Sequence, residues 1–398
     1  MKRISTTLLF LISTVQIFGQ TSLDNLKTQL QQQLDSIQKV YQFTGATFAV
    51  VMPDGQAINL ATGLSNLATQ TPMKHNDKML LGSIGKTYVA PIIMQLVEAE
   101  QLKLDDKLSQ YFGKEDWYSK LPNANDLTIR MLLNHTGGLP RYVLDPALWE
   151  LAIKNPNKTW TGVERLSYIF GKPAVHPAGK GWAYSDTDYI LLGMLIEQLT
   201  GKDFYKVLKK RILKPYKLKA TKPSNKRKLK GIVQGHSGKS PLHTPDLVIQ
   251  NKKYFINPQL EWTGGGLMTN SLDLAKWIKL LHEGKVVSKT STKMMQQPMN
   301  ETTGQPDTVG YGFATQVRYS KQGISYEHSG FMPGYLSITQ YFPKYGFSCA
   351  MQINSDIFYP KMKVSKSVAL FISLLRPTVA DYIKENVSTY KLHQHKNQ

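Results

Sequence analysis

A serine and a lysine stand three residues apart, as Ser83 and Lys86, at the start of a long apolar segment. The apolar side chains of that segment recur with helical spacing: Ile92, Ile93, Leu96 and Val97. This pattern predicts a helix that begins where the serine stands. Residues three apart lie on one face of a helix, so the Lys86 amine can reach the Ser83 hydroxyl. The pair is therefore a candidate nucleophile with its base.

Two other serine and lysine pairs have the same spacing, at Ser36 and Lys39 and at Ser388 and Lys391. Neither pair stands at the start of an apolar run. Serine is also a preferred residue at the N-cap of a helix. The spacing alone therefore leaves a purely structural role open for Ser83.

Two further motifs follow in the chain: Tyr184-Ser185-Asp186 and His328-Ser329-Gly330. The order Ser-x-x-Lys, then Tyr-x-Asn, then Lys-Thr-Gly or His-x-Gly is that of serine β-lactamases, penicillin-binding proteins and their esterase and peptidase relatives. The chain resembles this family, which includes class C β-lactamases and D-Ala-D-Ala carboxypeptidases. The resemblance covers most of residues 40 to 375 and includes three further segments: Leu132–Pro140, Gly264–Thr269 and Tyr311–Phe313.

The third motif occurs twice, because His236-Ser237-Gly238 has the same letters. His236 lies in a stretch rich in lysine and glycine. His328 instead lies between two segments typical of paired strands, Gly323–Glu327 and Tyr335–Thr339. We therefore expect His328 to be the site residue. We expect structural roles for His236 and five other histidines: His75, His135, His176, His243 and His282.

The resemblance implies an α/β (α+β) fold of the β-lactamase and DD-peptidase type, an antiparallel sheet flanked by helices with an inserted helical lobe. Residues 20–378 would form a single catalytic domain. Its sheet lobe would comprise about residues 20–75 and 285–378, and its helical lobe about residues 76–284. A polar tail would follow at residues 379–398. The active site would lie where the two lobes meet.

The resemblance also implies a role for each motif residue. Ser83 would attack a carbonyl carbon to form an acyl-enzyme, Lys86 would take the serine proton, and Tyr184 would relay a proton to the leaving group. The backbone N–H groups of Ser83 and Phe331 would form the oxyanion hole. The residues expected to bind the substrate are Asp186, His328, Ser329, Gly330 and Phe331.

Two motif residues depart from the family pattern. Asp186 stands where related β-lactamases carry asparagine, and an ionised carboxylate cannot donate a hydrogen bond. It would also raise the pKa of Lys86 and so weaken that amine as a base. Either Asp186 is partly protonated or Tyr184 takes the proton instead. His328 replaces a lysine, so a histidine with one hydrogen-bond donor would face the substrate in place of a permanent cation.

The implied activity is hydrolysis of an amide or ester in a small molecule or peptide. A D-Ala-D-Ala carboxypeptidase-like peptidase or amidase is the first expectation. A carboxylic esterase is the second, and a class C-type β-lactamase is the third because His328 weakens that interpretation. A catalytically silent relative that binds envelope peptides is the alternative from another class of function. The intact Ser83, Lys86 and Tyr184 argue against it.

The implied reaction uses no metal or other cofactor. The only cysteine, Cys349, lies in an apolar segment, where a small buried hydrophobe is expected, and no cysteine and histidine cluster has zinc-site spacing. Part of the net charge of +21 gathers between Lys206 and Lys230. Few aromatic residues are interleaved there, so we expect no nucleic-acid partner. A solvated surface is the simplest interpretation, and attraction to an anionic cell-envelope polymer is the alternative.

The first nineteen residues resemble a secretory signal, with Lys2 and Arg3, an apolar stretch over Leu8–Phe18, and Gly19 at the end. Polar residues interrupt the apolar stretch, so we expect cleavage and no transmembrane anchor in the mature protein. The sequence therefore predicts a periplasmic or secreted protein.

Overall fold

The computed structural model describes five segments of the chain: residues 4–238, 244–299, 309–320, 322–357 and 364–386. For residues 4–21, 309 and 364–368 it describes the backbone alone. The start of the predicted signal, residues 1–3, and the end of the predicted tail, residues 387–398, lie outside the described residues. Among the helices of the described segments, none is long and apolar enough to span a bilayer.

Helices and strands follow one another along the whole described chain. The helices are α1 Ile4–Tyr41, α2 Lys86–Glu98, α3 Ser109–Phe112, α4 Ile129–Asn134, α5 Pro146–Lys154, α6 Gly162–Leu166, α7 Asp186–Thr200, α8 Phe204–Leu208, α9 Ser271–His282, α10 Lys289–Gln296 and α11 Val364–Glu385. The strands are β1 Gly45–Val51, β2 Ala57–Asn66, β3 Thr71–Pro72, β4 Met79–Leu80, β5 Lys222–Pro223, β6 Ile249–Gln250, β7 Lys253–Tyr254, β8 Leu267–Thr269, β9 Val309–Tyr311, β10 Gln316–Ser320, β11 Gly323–Met332, β12 Tyr335–Phe342 and β13 Phe347–Ile353.

Within the described residues the main sheet has eight strands, in the order β3-β2-β1-β13-β12-β11-β10-β9, and neighbouring strands run antiparallel. Strands from the two ends of the chain meet inside it, where Ala46 of β1 lies opposite Ile353 of β13. All seven residues of both strands are buried, because both faces of the sheet are covered. The predicted fold class is confirmed.

Helices cover the two faces of the sheet, and alternate residues of β1 divide between them. Phe48 joins the apolar core that the sheet shares with α1 and α11, in which Phe43 and Phe371 are also buried. Ala49 joins the larger core on the other face. There α9 packs on the sheet, and Ser271 Oγ lies 2.7 Å from Thr47 Oγ1.

Two details differ from the sequence prediction. Residues 271–282 were assigned to the helical lobe, whereas α9 packs against β1, β12 and β13 of the sheet. The polar tail was predicted to begin at residue 379, whereas α11 continues through Glu385. It continues because Val379, Ala380 and Ile383 keep the apolar face of the helix buried against the sheet and α1.

Helix α2, which follows Ser83, is buried along most of its length and contacts α7. Its Tyr88 ring stacks on Trp277 of α9 with ring centroids 4.3 Å apart. The Trp277 indole N–H donates a hydrogen bond to Thr87 Oγ1 over 2.8 Å. These contacts fix the first turn of α2, and with it the residues that precede the helix.

Candidate active site

Ser83 lies in a tight 3-10 turn, Gly82–Gly85, that leads directly into α2. Gly82 has a positive φ of 53°, and a Cβ placed on it would lie 2.4 Å from the carbonyl oxygen of Phe331. Both the backbone conformation and this contact require glycine. The glycine thereby allows β11 to approach the turn that carries the predicted nucleophile.

A second glycine makes the matching contact from β11. A Cβ placed on Gly330 would lie 1.8 Å from the carbonyl oxygen of Leu81. We expect Gly330→Ala to lower the free energy of unfolding by about 1–3 kcal/mol, because the backbone of β11 or of the turn must move. The shift separates β11 from Ser83, so turnover should fall as well.

The matched control for that substitution is Gly238→Ala, in the repeated His-Ser-Gly motif. A Cβ on Gly238 has no neighbour closer than 3.4 Å among the described residues. Urea unfolding and turnover assays of both variants check the expectation. Equal, small effects of the two substitutions would contradict the tight contact at Gly330.

Lys86 is fully buried and donates three hydrogen bonds. Its Nζ lies 3.3 Å from Ser83 Oγ, 2.6 Å from Asp186 Oδ1 and 2.7 Å from the carbonyl oxygen of Gly264. These acceptors use all three N–H donors of an ammonium. Burial by itself would lower the pKa of Lys86, but the Asp186 carboxylate outweighs it and holds the pKa above its ordinary value. Lys86 therefore rests as an ammonium.

Asp186 begins α7 and places each of its oxygens on a different cation. Oδ1 accepts from Lys86, and Oδ2 accepts from Nε and Nη2 of Arg141 over 2.9 and 2.8 Å. Burial opposes ionisation, but the Lys86 and Arg141 charges outweigh it and lower the pKa of Asp186 well below its usual range. Of the two alternatives raised by the sequence, these contacts and the lowered pKa favour an ionised Asp186.

A second carboxyl group, Glu261, lies beside this cluster. Its Oε2 would be 2.8 Å from a Cβ on Gly265, next to the Gly264 carbonyl that receives the Lys86 hydrogen bond. Burial, followed by the Asp186 charge, raises the pKa of Glu261 to about 7, against the opposing charges of Lys86 and Arg141. Glu261 therefore titrates near neutral pH in contact with the Gly264–Gly265 turn.

Tyr184 packs against both cations. Lys86 Nζ is 4.9 Å and Arg141 Cζ is 5.1 Å from the centroid of the Tyr184 ring. Its hydroxyl is buried and makes no hydrogen bond of regular geometry with a described residue. Burial raises the pKa of Tyr184, and the nearby Lys86 charge only partly opposes this. The phenol is therefore neutral in the resting protein.

His328 is buried on β11, and both of its ring nitrogens are engaged. Nδ1 lies 2.7 Å from the carbonyl oxygen of Ser329, and Nε2 lies 3.0 Å from the hydroxyl of Tyr311. Burial lowers the pKa of His328 to about 3, so the ring is neutral. A carbonyl only accepts, so Nδ1 carries the hydrogen and Nε2 accepts from Tyr311. The predicted contact between His328 and the substrate is corrected, since no N–H is left to donate.

The hydrogen bonds continue from Tyr311 to His135, which the sequence analysis assigned to a structural role. His135 Nε2 lies 3.3 Å from the Tyr311 oxygen, and its Nδ1 lies 2.6 Å from Asp188 Oδ2. The N–H of Ser185 donates to the same Nδ1. Burial lowers the pKa of His135 and raises that of Asp188. A neutral Asp188 therefore donates to a neutral His135.

These contacts form one directed chain of donors, from Asp188 through His135 and Tyr311 to His328 and the Ser329 carbonyl. Its members are buried and uncharged. The chain links α7, the end of α4, β9 and β11, and it lies behind Tyr184, whose ring is 4.4 Å from the His135 ring. It holds the third motif against the second, which gives His328 a positioning role.

The oxyanion hole predicted for Ser83 and Phe331 has matching backbone positions. A Cβ on Gly82, the residue before Ser83, would lie 2.6 Å from the Phe331 nitrogen. The Phe331 side chain is 39% exposed, so this position opens to solvent. The Phe331 nitrogen thus lies beside the turn that carries Ser83, and an oxyanion hole formed by the two N–H groups stays a prediction.

Sequence reasoning therefore brings Ser83, Lys86, Tyr184 and Asp186 together correctly in space and omits two charged neighbours. Arg141 directly follows the Leu132–Pro140 segment, and Glu261 stands shortly before the Gly264–Thr269 segment. A charge beside a glycine-rich motif was the available signal for each. In the part of the chain that the structure describes, no three acidic, histidine or cysteine side chains are grouped to hold a metal.

Comparison of the sequence with other proteins identifies a family and several relatives. Residues 30–368 match the model of the Beta-lactamase family. Penicillin-binding protein 4* of Bacillus subtilis is 26% identical over 322 residues, which are 78% of this chain and 68% of that protein. Protein flp of Staphylococcus aureus is 24% identical over 347 residues, covering 85% of this chain and 66% of that protein. The chain thus spans about two thirds of the length of these relatives.

Solved structures with the same fold include two amide hydrolases. The D-stereospecific amidohydrolase from a Streptomyces species has a TM-score of 0.72 and 24% identity, covering 85% of this chain and 96% of that one. The D-amino acid amidase from Ochrobactrum anthropi has a TM-score of 0.76 and 21% identity, covering 89% of this chain and 99% of that one.

Proposed function

Since the chain belongs to the Beta-lactamase family and is a serine hydrolase, we propose that it acts on amides and that its substrate is a peptide ending in a D-amino acid. The enzyme would remove that residue as a D-Ala-D-Ala carboxypeptidase-like peptidase. The observation that carries the proposal is the half-buried Ser83 hydroxyl, 3.3 Å from the buried Lys86 amine. The fold shared with a D-stereospecific amidohydrolase and a D-amino acid amidase supports the choice of substrate.

The proposed reaction has two steps. Ser83 Oγ attacks the scissile carbonyl, its proton passes to the Lys86 and Tyr184 pair, and the carbonyl oxygen becomes an oxyanion held by the N–H groups of Ser83 and Phe331. The C–N bond then breaks, and the same pair returns the proton to the leaving amine. Water attacks the acyl-enzyme in the second step, which releases the acid and restores Ser83.

The resting charges determine when the first step can begin. Lys86 is an ammonium and Tyr184 is a neutral phenol, so neither can accept the Ser83 proton until the pair has lost one proton. Asp186 raises the pKa of Lys86, and burial raises the pKa of Tyr184. The fraction of enzyme in the reactive form therefore increases as the pH rises. Because Lys86 and Tyr184 share the proton that is lost, the apparent pKa of activity describes the pair and not either residue alone.

We test the proposed substrate with two acylated peptides that differ only in the configuration of their last residue, D-Ala-D-Ala and D-Ala-L-Ala. Release of alanine from the first peptide alone, abolished by Ser83→Ala, is the expected result. Hydrolysis of simple esters without release from either peptide would contradict the peptidase and favour a carboxylic esterase. The esterase is the second candidate because His328 offers no cation to a peptide carboxylate.

We also propose that the protein is exported. The basic and apolar start of the chain supports this, and the net charge of +21 supports contact with an anionic envelope polymer. Intact-mass measurement of the protein from the periplasm and medium should give a chain that begins near Gln20. Retention on cell envelopes should weaken with salt if the charge holds it there.

A further inference from the structure

We propose that Arg141 is the residue that recognises the substrate carboxylate, through the edge of its guanidinium that Asp186 leaves free. This inference rests on the proposed function, which places a carboxylate on the leaving-group side of the scissile bond. The sequence places a histidine, His328, where a lysine would offer a permanent cation to the substrate, so the carboxylate needs another partner.

The first observation is that His328 cannot supply the interaction. It is 1% exposed, neutral, and engaged at both ring nitrogens by Ser329 and Tyr311. Releasing its Nδ1 hydrogen to a ligand would strand the Ser329 carbonyl. A carboxylate in the cleft must find its positive partner elsewhere.

The second observation is an excess of positive charge around the nucleophile. Lys86 and Arg141 share one ionised carboxylate, Asp186, which gives one oxygen to each. Those three groups together carry a charge of about +1 at neutral pH, and Glu261, whose pKa is raised to about 7, offsets only part of it. A bound carboxylate would balance that charge.

The third observation is that the cations differ in their exposure to solvent, and so in their access to a ligand. Lys86 is fully buried and uses its three donors inside the protein. Arg165 is 1% exposed and donates to three backbone carbonyls: Trp160, Gln259 and Leu260. The Arg141 side chain is 36% exposed while its partner Asp186 is 2% exposed. Of the cations in this cluster, Arg141 is therefore the one that reaches the solvent.

The fourth observation is the orientation of the Arg141 fork. Nε and Nη2 both donate to the single oxygen Oδ2 of Asp186. Among the residues that the structure describes, no acceptor contacts Nη1. Nη1 and the second hydrogen of Nη2 form a free edge, which matches the two oxygens of a carboxylate.

The position of that edge fits a carboxylate close to the scissile bond. Both cations lie against the Tyr184 ring, with Lys86 Nζ 4.9 Å and Arg141 Cζ 5.1 Å from its centroid. Lys86 in turn contacts Ser83 Oγ. Arg141 is thus linked to the base of the nucleophile through the one carboxylate of Asp186, and one amino-acid residue of a substrate can bridge the two positions.

The experiment uses two thioester reporters with the same benzoylglycyl group. One has mercaptoacetate as the leaving group, and the other has the neutral mercaptoacetamide. Both are activated acyl donors for a serine nucleophile, and released thiol is measured directly. The quantity of interest is the ratio of kcat/KM for the anionic reporter to that for the neutral one.

Arg141 also forms an ion pair with Asp186, and losing that pair would affect activity by itself. The effect of replacing Arg141 is therefore measured in the Asp186→Asn background, where the ion pair is already absent. The ratio is compared between Asp186→Asn and the double variant Asp186→Asn with Arg141→Gln. We expect the ratio to fall about 10- to 100-fold, mostly through KM, because a charge-assisted pair is lost. Arg141→Lys should recover part of it. Arg130→Gln, which removes a surface charge paired with Asp105, controls for net charge and should leave the ratio unchanged.

The outcomes separate this inference from the proposed function. Equal losses of kcat/KM on the two reporters would overturn the inference, because Arg141 would then act only by holding Asp186. This conclusion does not depend on whether the peptides are cleaved. A ratio that depends on Arg141, together with peptides that are not cleaved, would support the inference and reject the peptidase.

Discussion

Replacing Ser83 with alanine is expected to reduce turnover by roughly 10⁴- to 10⁶-fold, the range seen when a serine nucleophile is removed. The turn Gly82–Gly85 contains no second hydroxyl, so nothing in it takes over the attack. The fold should be unchanged, because Ser83 is only half-buried and its hydrogen bond to Lys86 is long, at 3.3 Å.

The chain contains a matched control for this substitution. Ser36 has the same spacing from a lysine, Lys39, but its hydroxyl bonds to the backbone of Gln32 on the exposed surface of α1. Ser36→Ala should keep full activity. Thermal unfolding of both variants should match the parent protein. Residual turnover in Ser83→Ala at more than a few percent of the parent rate would contradict the assignment.

Replacing Asp186 with alanine is expected to lower the free energy of unfolding by about 3–5 kcal/mol, the usual effect of breaking a buried ion pair. Lys86, fully buried, would be left as an uncompensated charge. Asp186→Asn should have a smaller effect, because its amide oxygen still accepts from Lys86 and the half-exposed Arg141 can turn to water. Urea unfolding of both variants checks the order. Equal stabilities for the alanine and asparagine variants would contradict this order and show that the lost charge, and not the lost hydrogen-bond acceptor, accounts for the whole effect.

The pH dependence of stability follows from the signs of the two shifts. The pKa of Asp186 is lowered in the folded protein, so its contribution is present above the ordinary value of 3.8 and is lost as the pH falls through the lowered value. The pKa of Lys86 is raised, so its contribution is present below 10.5 and is lost as the pH rises through the raised value. Between these limits the stability difference between the parent and Asp186→Ala should shrink once the pH is high enough to deprotonate Lys86 in the variant, because without Asp186 burial lowers the pKa of that amine.

The same asparagine substitution should change the pH profile of activity. Removing the carboxylate lowers the pKa of Lys86, so the reactive, deprotonated pair forms at lower pH. We expect the rising limb of kcat/KM to move down by about 1–2 pH units. A limb that does not move would mean that the Asp186 charge has no influence on the group that titrates.

The nucleophile and its neighbours could be predicted because their signals are local. Ser83 and Lys86 meet through the geometry of one helical turn, and the order of three short motifs identifies the fold class. The end of α11 was missed because Val379 and Ile383 are held by packing that only the folded sheet provides. A polar tail and a partly polar helix look alike in sequence.

The charges around the site could not be predicted, because they come from segments far apart in the chain. Arg141 reaches Asp186 across 45 positions, and His328 is engaged through Tyr311, 17 positions away. Sequence shows which residues can ionise but not which cation faces which carboxylate. The roles of His328 and His135 depended on those pairings, and there the prediction was wrong for His328 and incomplete for His135.

The central claim is that Ser83 forms a covalent acyl-enzyme, and intact-mass spectrometry tests it most directly. The mature protein and Ser83→Ala are incubated separately with a fluorophosphonate and with a penicillin. We predict one adduct from each reagent on the parent protein and none on the variant, with the penicilloyl adduct persisting as in a slowly deacylating peptidase. Absence of both adducts from the parent protein would contradict the account and leave a protein that binds envelope peptides without catalysis.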